Sequence, residues 1–156
     1  MPFTSAPMPV GDELVLRDRT ISEVWRLWFR ETKRVVDATP ERVVTKQLTA
    51  QSASIATTSL PVSVTTGLWR VSWAARITRA ATTSSSLTVT IGWTDTVALT
   101  SSGAALTGNT TTTSQSGMLL IAADGNTPMT YATTYASAGA TTMQYKLDIV
   151  VERVNA

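Results

Sequence analysis

The chain has 156 residues, 43% of them apolar and only 15% charged, with 13 basic against 11 acidic side chains and neither histidine nor cysteine. That length suits one domain with an appendage, and the apolar content is enough for a packed core. The missing residue types exclude histidine-based triads, the usual zinc sites, haem ligation by His or Cys, iron–sulfur clusters and any disulfide framework. No stretch approaches the roughly 18 to 20 apolar residues of a membrane-spanning helix, and the first residues lack the basic and apolar regions of a secretory signal.

Charge is placed unevenly. Eight of the basic and seven of the acidic residues fall in the first 50 positions, where they largely offset one another. From Gln51 to Tyr145 there are only Arg70, Arg76, Arg79, Asp95 and Asp124. No concentrated basic face of the kind that grips a nucleic acid is present. This shift in composition predicts an N-terminal arm and helix over residues 1–42 and a second unit over residues 43–156.

Pro2, Pro7 and Pro9 predict an extended arm, because proline fixes φ and removes a backbone donor. Over residues 20–37 the apolar positions Ile21, Val24, Trp25, Trp28, Phe29, Val35 and Val36 recur at helical spacing. Thr20 and Glu23 fit a capping box at the start, and Pro40 ends the helix. Arg26, Arg30, Lys33 and Arg34 fall largely on the other side and read as a solvated face. The aromatic stripe has two readings, packing on the chain's own second unit or docking on a partner. Under the second, Phe3 of the arm joins Ile21, Val24, Trp25, Trp28, Phe29 and Val35 as docking or oligomerisation residues.

From about residue 43 the period becomes two. In Gly67–Thr78, Trp69, Val71, Trp73, Ala75 and Ile77 point one way and Arg70, Ser72, Ala74 and Arg76 the other. Leu87, Val89, Ile91 and Trp93 repeat the pattern, as do Tyr145, Leu147, Ile149 and Val151. Weaker strands are expected over Val43–Gln47, Ser54–Thr58, Thr110–Ser116, Met118–Ala122 and Met129–Tyr135. Ser/Thr/Gly-rich links separate them at Thr82–Ser86, Ser101–Asn109 and Ser137–Ala140. With no helical period between the strands, the expected fold is mainly β: an antiparallel β-sandwich, jelly-roll or Ig-like.

The outward positions are mostly Thr, Ser and Ala, where a soluble monomer normally shows about a quarter charged surface. Burial in a symmetric oligomer would account for this. So would a carbohydrate-binding module, for which Trp93, Tyr131 and Tyr135 are the candidate ligand platform. Asp95 and Asp124 are the only acidic pair that a hydrolase could draw on in this region. Too little chemistry is present for an enzyme to be expected, and no cofactor or metal site is expected either.

The cluster Trp25-Arg26-Leu27-Trp28-Phe29 is followed by a Thr/Ser-rich β region. That region contains Gly67-Leu68-Trp69-Arg70-Val71-Ser72, the run Ser84 to Asp95, Tyr131-Ala132-Thr133-Thr134-Tyr135 and Met143-Gln144-Tyr145-Lys146-Leu147. In style and segment order this resembles small tailed-bacteriophage virion proteins of the neck, head-fibre or tail-fibre kind. The resemblance implies a homo-oligomer, with a trimer favoured, held to the particle by its N-terminal segment. It also implies other virion proteins as partners, a host-surface glycan as a further partner, and residence in the virion after synthesis in the host cytoplasm. No nucleic acid or membrane partner is expected.

Overall fold

The computed structural model describes residues 21–37, 41–107 and 110–154, with the side chains of residues 34–42 left aside. Contacts divide the chain into two compact units between Pro40 and Glu41.

The described part of the first unit is the helix α1, Glu23–Asp37. Its first bond runs from the Arg26 N–H to the Ser22 carbonyl, 3.0 Å, so Ser22 takes the N-cap position. Glu23 then lies in the first turn, where a carboxylate suits the positive end of the helix dipole. Thr20, the expected capping residue, is outside the described residues.

The described residues of the second unit form nine strands: β1 Glu41–Gln51, β2 Ile55–Ser59, β3 Gly67–Arg79, β4 Ser84–Thr94, β5 Ala98–Ser102, β6 Leu106–Thr107, β7 Ser114–Ala123, β8 Thr130–Ala138 and β9 Gln144–Val154. They form two sheets with antiparallel pairing throughout. Sheet I has the order β1-β9-β3-β7; sheet II has β2-β8-β4-β5, with β6 also on β4. β5 pairs with Thr90–Thr94 and β6 with Ser86–Leu87, so the two share one edge of β4 as an interrupted strand.

Every connection crosses from one sheet to the other except β4–β5–β6. That is the jelly-roll path. An Ig-like sandwich would keep several consecutive strands within a sheet. Of the two sandwich topologies the residue pattern allowed, the jelly roll is the one formed.

The core lies between the sheets. Trp69, Val71, Trp73, Ala75 and Ile77 of β3 and Tyr145, Leu147, Ile149 and Val151 of β9 face Leu87, Val89 and Ile91 of β4, and all are buried. Each large side chain buried this fully contributes on the order of 1.5–3 kcal/mol. Two departures from the expected strands have local causes. Thr110–Ser116 and Met118–Ala122 are not two strands; β7 runs unbroken from Ser114 to Ala123 in continuous register with β3. Gly117 does not interrupt it because the Trp73 ring occupies the place of a side chain there: a Cβ would lie 2.7 Å from the indole. The expected link at Ser101–Asn109 contains the end of β5 and all of β6, which at two residues is too short to show an alternation around the buried Leu106.

One polar chain crosses the core. The Ile55 N–H donates to Thr133 Oγ1 at 2.9 Å, and the Tyr145 hydroxyl donates to the Ala53 carbonyl at 2.9 Å. Tyr145 Oη and Thr133 Oγ1 are 2.7 Å apart. Since the tyrosine proton is already committed, Thr133 is the donor in that bond. The chain ties the β1–β2 connection and β2 to β8 and β9.

Burial raises the Tyr145 pKa above its ordinary 10.0. The neutral form is therefore favoured on folding, and the stability it confers is intact below pH 10 and declines as pH rises beyond it. Tyr145→Phe should lower stability by about 1–3 kcal/mol, because the Thr133 hydroxyl and the Ala53 carbonyl lose their partner. Urea unfolding as a function of pH should also show a shallower alkaline decline for the variant.

Candidate functional site

The residues expected to act are placed in three different settings. On α1, Trp25, Trp28 and Phe29 form one cluster, with ring centroids 5.7 Å apart for Trp25–Trp28, 5.7 Å for Trp25–Phe29 and 5.2 Å for Trp28–Phe29. These are contacts between neighbours three or four residues apart, or adjacent ones, on one helical surface. Ile21, Val24, Leu27 and Phe29 are exposed, whereas Trp25 and Trp28 are half-buried. Leu27, which the helical spacing left off the stripe, widens the exposed apolar arc. Phe3 and the Val35 side chain are outside the described residues.

The aromatic platform is not assembled. Tyr131 is 4% exposed within the sandwich, and Trp93 and Tyr135 pack half-buried against the core. The Tyr135 hydroxyl donates to the Met143 carbonyl at 2.8 Å, and its ring lies 6.1 Å from that of Tyr145. All three occupy inward positions of β4 and β8, so the alternation that makes them core residues buries Tyr131 and leaves only part of Trp93 and Tyr135 accessible.

The two candidate carboxylates are on adjacent turns, since the Asp124 N–H donates to the Thr94 carbonyl at 2.9 Å. Asp124 Oδ1, however, accepts the N–H groups of Asn126 and Thr127 at 3.0 and 3.2 Å. This closes an Asx turn over Gly125, whose φ of 81° suits glycine. The Asn126 N–H is the main cause holding the Asp124 pKa below 3.8, opposed by some desolvation. These contacts favour the ionised carboxylate and commit Oδ1 to the backbone of its own loop. Among the described residues no group of three or more His, Cys, Asp or Glu side chains comes together to hold a metal.

What remains are the outer faces of the sandwich. The outer face of sheet II is uncharged: Thr134 lies opposite Thr88, and Ala132 opposite Thr90, which in turn faces Ser102 with the hydroxyls 2.8 Å apart. Sheet I differs. Leu68, Met118 and Leu120 stand outward on β3 and β7, and Met118 and Leu120 are 67% and 63% exposed. Beside them an open groove of about 550 Å³ runs over Ser72, Ala74, Ser116 and Gly117, with Met118, Val150 and Asp148 at its sides.

Charge on this face lies in the outward rows of β3 and β9, at Arg70, Arg76, Lys146, Asp148 and Glu152, and most of it is paired. Arg70 Nη2 is 2.6 Å from Glu152 Oε2, and Lys146 Nζ is 2.9 Å from Asp148 Oδ2. Asp148 Oδ1 has no hydrogen-bond partner and faces no solvent. The residues missed by sequence reasoning are Met118 and Leu120. Their signal was the run Met118-Leu119-Leu120-Ile121, which is apolar in both phases, whereas a single buried face requires only one.

No family model matches the chain, and no curated protein matches it. Among solved structures it is similar to one described as "Family 16 Carbohydrate Binding Module-2", at 12% identity and a TM-score of 0.31, over 70% of this chain and 72% of that one. The sandwich assignment rests on the strand pairing given above.

An NMR titration of the aspartates should give Asp124 a midpoint below 3.8. Asp124→Ala should remove the protection of the Asn126 and Thr127 amides from hydrogen exchange.

Proposed function

We propose that the protein is a non-enzymatic structural component of a bacteriophage virion, homo-oligomeric, held to the particle by its N-terminal segment. The observation that carries this reading is the exposed apolar surface of the sandwich, Leu68, Met118 and Leu120, on a domain whose other outer face is uncharged. Isolated soluble domains seldom leave such surfaces uncovered, and assembly covers them. The exposed apolar arc of α1 supports the N-terminal segment as the attachment point. The neck, fibre or decoration role and the trimer come from the resemblance to small phage virion proteins.

Deleting residues 1–40 should leave a β domain with native near-UV circular dichroism that no longer co-sediments with particles; normal incorporation of the truncated protein would overturn the proposal.

The second reading is a carbohydrate- or cell-surface-binding module for host adsorption. The groove on sheet I favours it, since Ser72, Ser116 and the part-exposed Asp148 side chain line it with polar groups suited to a hydroxylated ligand. Under this reading a glycan array probed with the native protein gives hits that Asp148→Ala loses, and an empty array removes the reading.

A further inference from the structure

An edge strand exposes a row of unpaired N–H and C=O groups, and proteins blunt such edges with charge, bulges or short length. Among the described residues, three of the four sheet edges are blunted. β1 carries Lys46, two register shifts and Ala50 at a positive φ of 54°. β2 has five residues and a register shift between Ile55 and Thr58. The free edge on the far side of sheet II is split between β5 and the two-residue β6.

β7 has none of these devices. It is ten residues long, without charge or proline, and keeps register with β3 from Gly67↔Ala123 to Arg76↔Ser114. It is also the strand that carries the most exposed apolar side chains of the molecule's described residues, Met118 and Leu120.

We propose that β7 is an assembly edge that pairs antiparallel with β7 of a second copy of this chain across a two-fold axis, joining two four-stranded sheets into one of eight strands. This rests on the reading of the protein as an assembling structural component, and it takes a two-fold pair in place of the trimer that the resemblance implies. Charge and shape select the occupant. The strand is neutral, so nothing in it repels a copy of itself. Centring the axis on Leu119 places Met118 opposite Leu120 of the second copy, twice, which covers both exposed side chains. On the inward side it sets Gly117 against Ile121, small against large. Such a contact is self-complementary and closed. Pairing of β7 with β1 of the next copy would instead be head-to-tail, and would bring a charged, bulged edge against a neutral straight one.

The absence of cysteine from the chain makes a direct test available. Directly opposite residues of paired strands have Cβ atoms about 4.5–5.5 Å apart, close to the span of a disulfide. Oxidised Met118→Cys/Leu120→Cys protein should therefore run as a covalent dimer on a non-reducing gel. The matching pair on another edge, Ala56→Cys/Thr58→Cys, should stay monomeric.

Met118→Lys/Leu120→Lys places like charges opposite one another. In analytical ultracentrifugation it should weaken self-association by about tenfold or more. At concentrations low enough for both proteins to be monomeric, its melting temperature should match that of the native chain, since both positions are exposed in the single copy. Met118→Glu/Leu120→Lys sets opposite charges face to face and should restore association.

A cysteine variant that yields no linked dimer, a lysine variant that associates as tightly as the native chain, or open filaments in place of pairs would each overturn the proposal. All these measurements use the purified chain without particles. Their failure is therefore distinct from a failure of particle incorporation, and incorporation can fail while the β7 pairing stands.

Discussion

The packing of β3 against β4 and β9 is the contact on which the rest of the molecule depends. β3 is the longest strand, lies between β9 and β7 in sheet I, and sends five consecutive inward side chains, from Trp69 to Ile77, into the space between the sheets. Leu87, Val89 and Ile91 meet them from sheet II, and Tyr145 to Val151 extend the same layer. Apolar burial is non-directional, so it draws the sheets together without fixing how they sit. Alignment comes from directional contacts: the Ile55–Thr133–Tyr145–Ala53 chain of hydrogen bonds, and the Trp73 ring laid over Gly117 and Gly103. A side chain at either glycine would strike the indole, so those two positions stay bare to let one large ring close the side of the sandwich near β7 and the β5–β6 turn.

The jelly-roll path has a consequence for the surface. Because nearly every connection changes sheets, each sheet is built from strands distant in sequence, and its outer face is composed from four or five separate segments. A face that is uncharged in all of them, as in sheet II, reflects the same restriction to Thr, Ser and Ala at many independent positions. Those residue types suit a pleated surface and hydrogen-bond across strands, as Thr90 and Ser102 do. They provide little of the repulsion that keeps soluble domains apart. On sheet I the charged residues sit on β3 and β9, where two part-exposed ion pairs form, and the outward row of β7 beside them is left apolar at Met118 and Leu120.

Site chemistry follows from the same geometry. The aromatic residues of the sandwich are large, and a two-layer fold of this size uses them to fill its centre, which buries Tyr131 and commits much of Tyr135 and Trp93 to the core. The two aspartates in the low-charge region lie at turns, and Asp124 spends its carboxylate on the backbone of its own loop. The surface left for recognition consists of outward side chains on β3, β7 and β9 and the exposed arc of α1.

Much of the fold was legible in the residues themselves. A period of two with large apolar side chains in one phase reads the same in any strand, so the inward rows of β3, β4 and β9 and the antiparallel sandwich follow from the alternation, and α1 follows from its 3.6-residue spacing. Local pattern could not determine which strands are neighbours: β1 with β9, and β3 between β9 and β7, are pairings between distant segments, and only the folded chain separates a jelly roll from an Ig-like sandwich. It also could not reveal β5 and β6, whose few residues carry no phase, or the continuity of β7 through Gly117, which depends on a tryptophan 44 positions earlier in the chain. Which apolar residues are left over is likewise a tertiary matter. Met118 and Leu120 resemble core residues in sequence, and they are exposed because Leu119 and Ile121, in the opposite phase, already fill the inner face at the edge of the sheet.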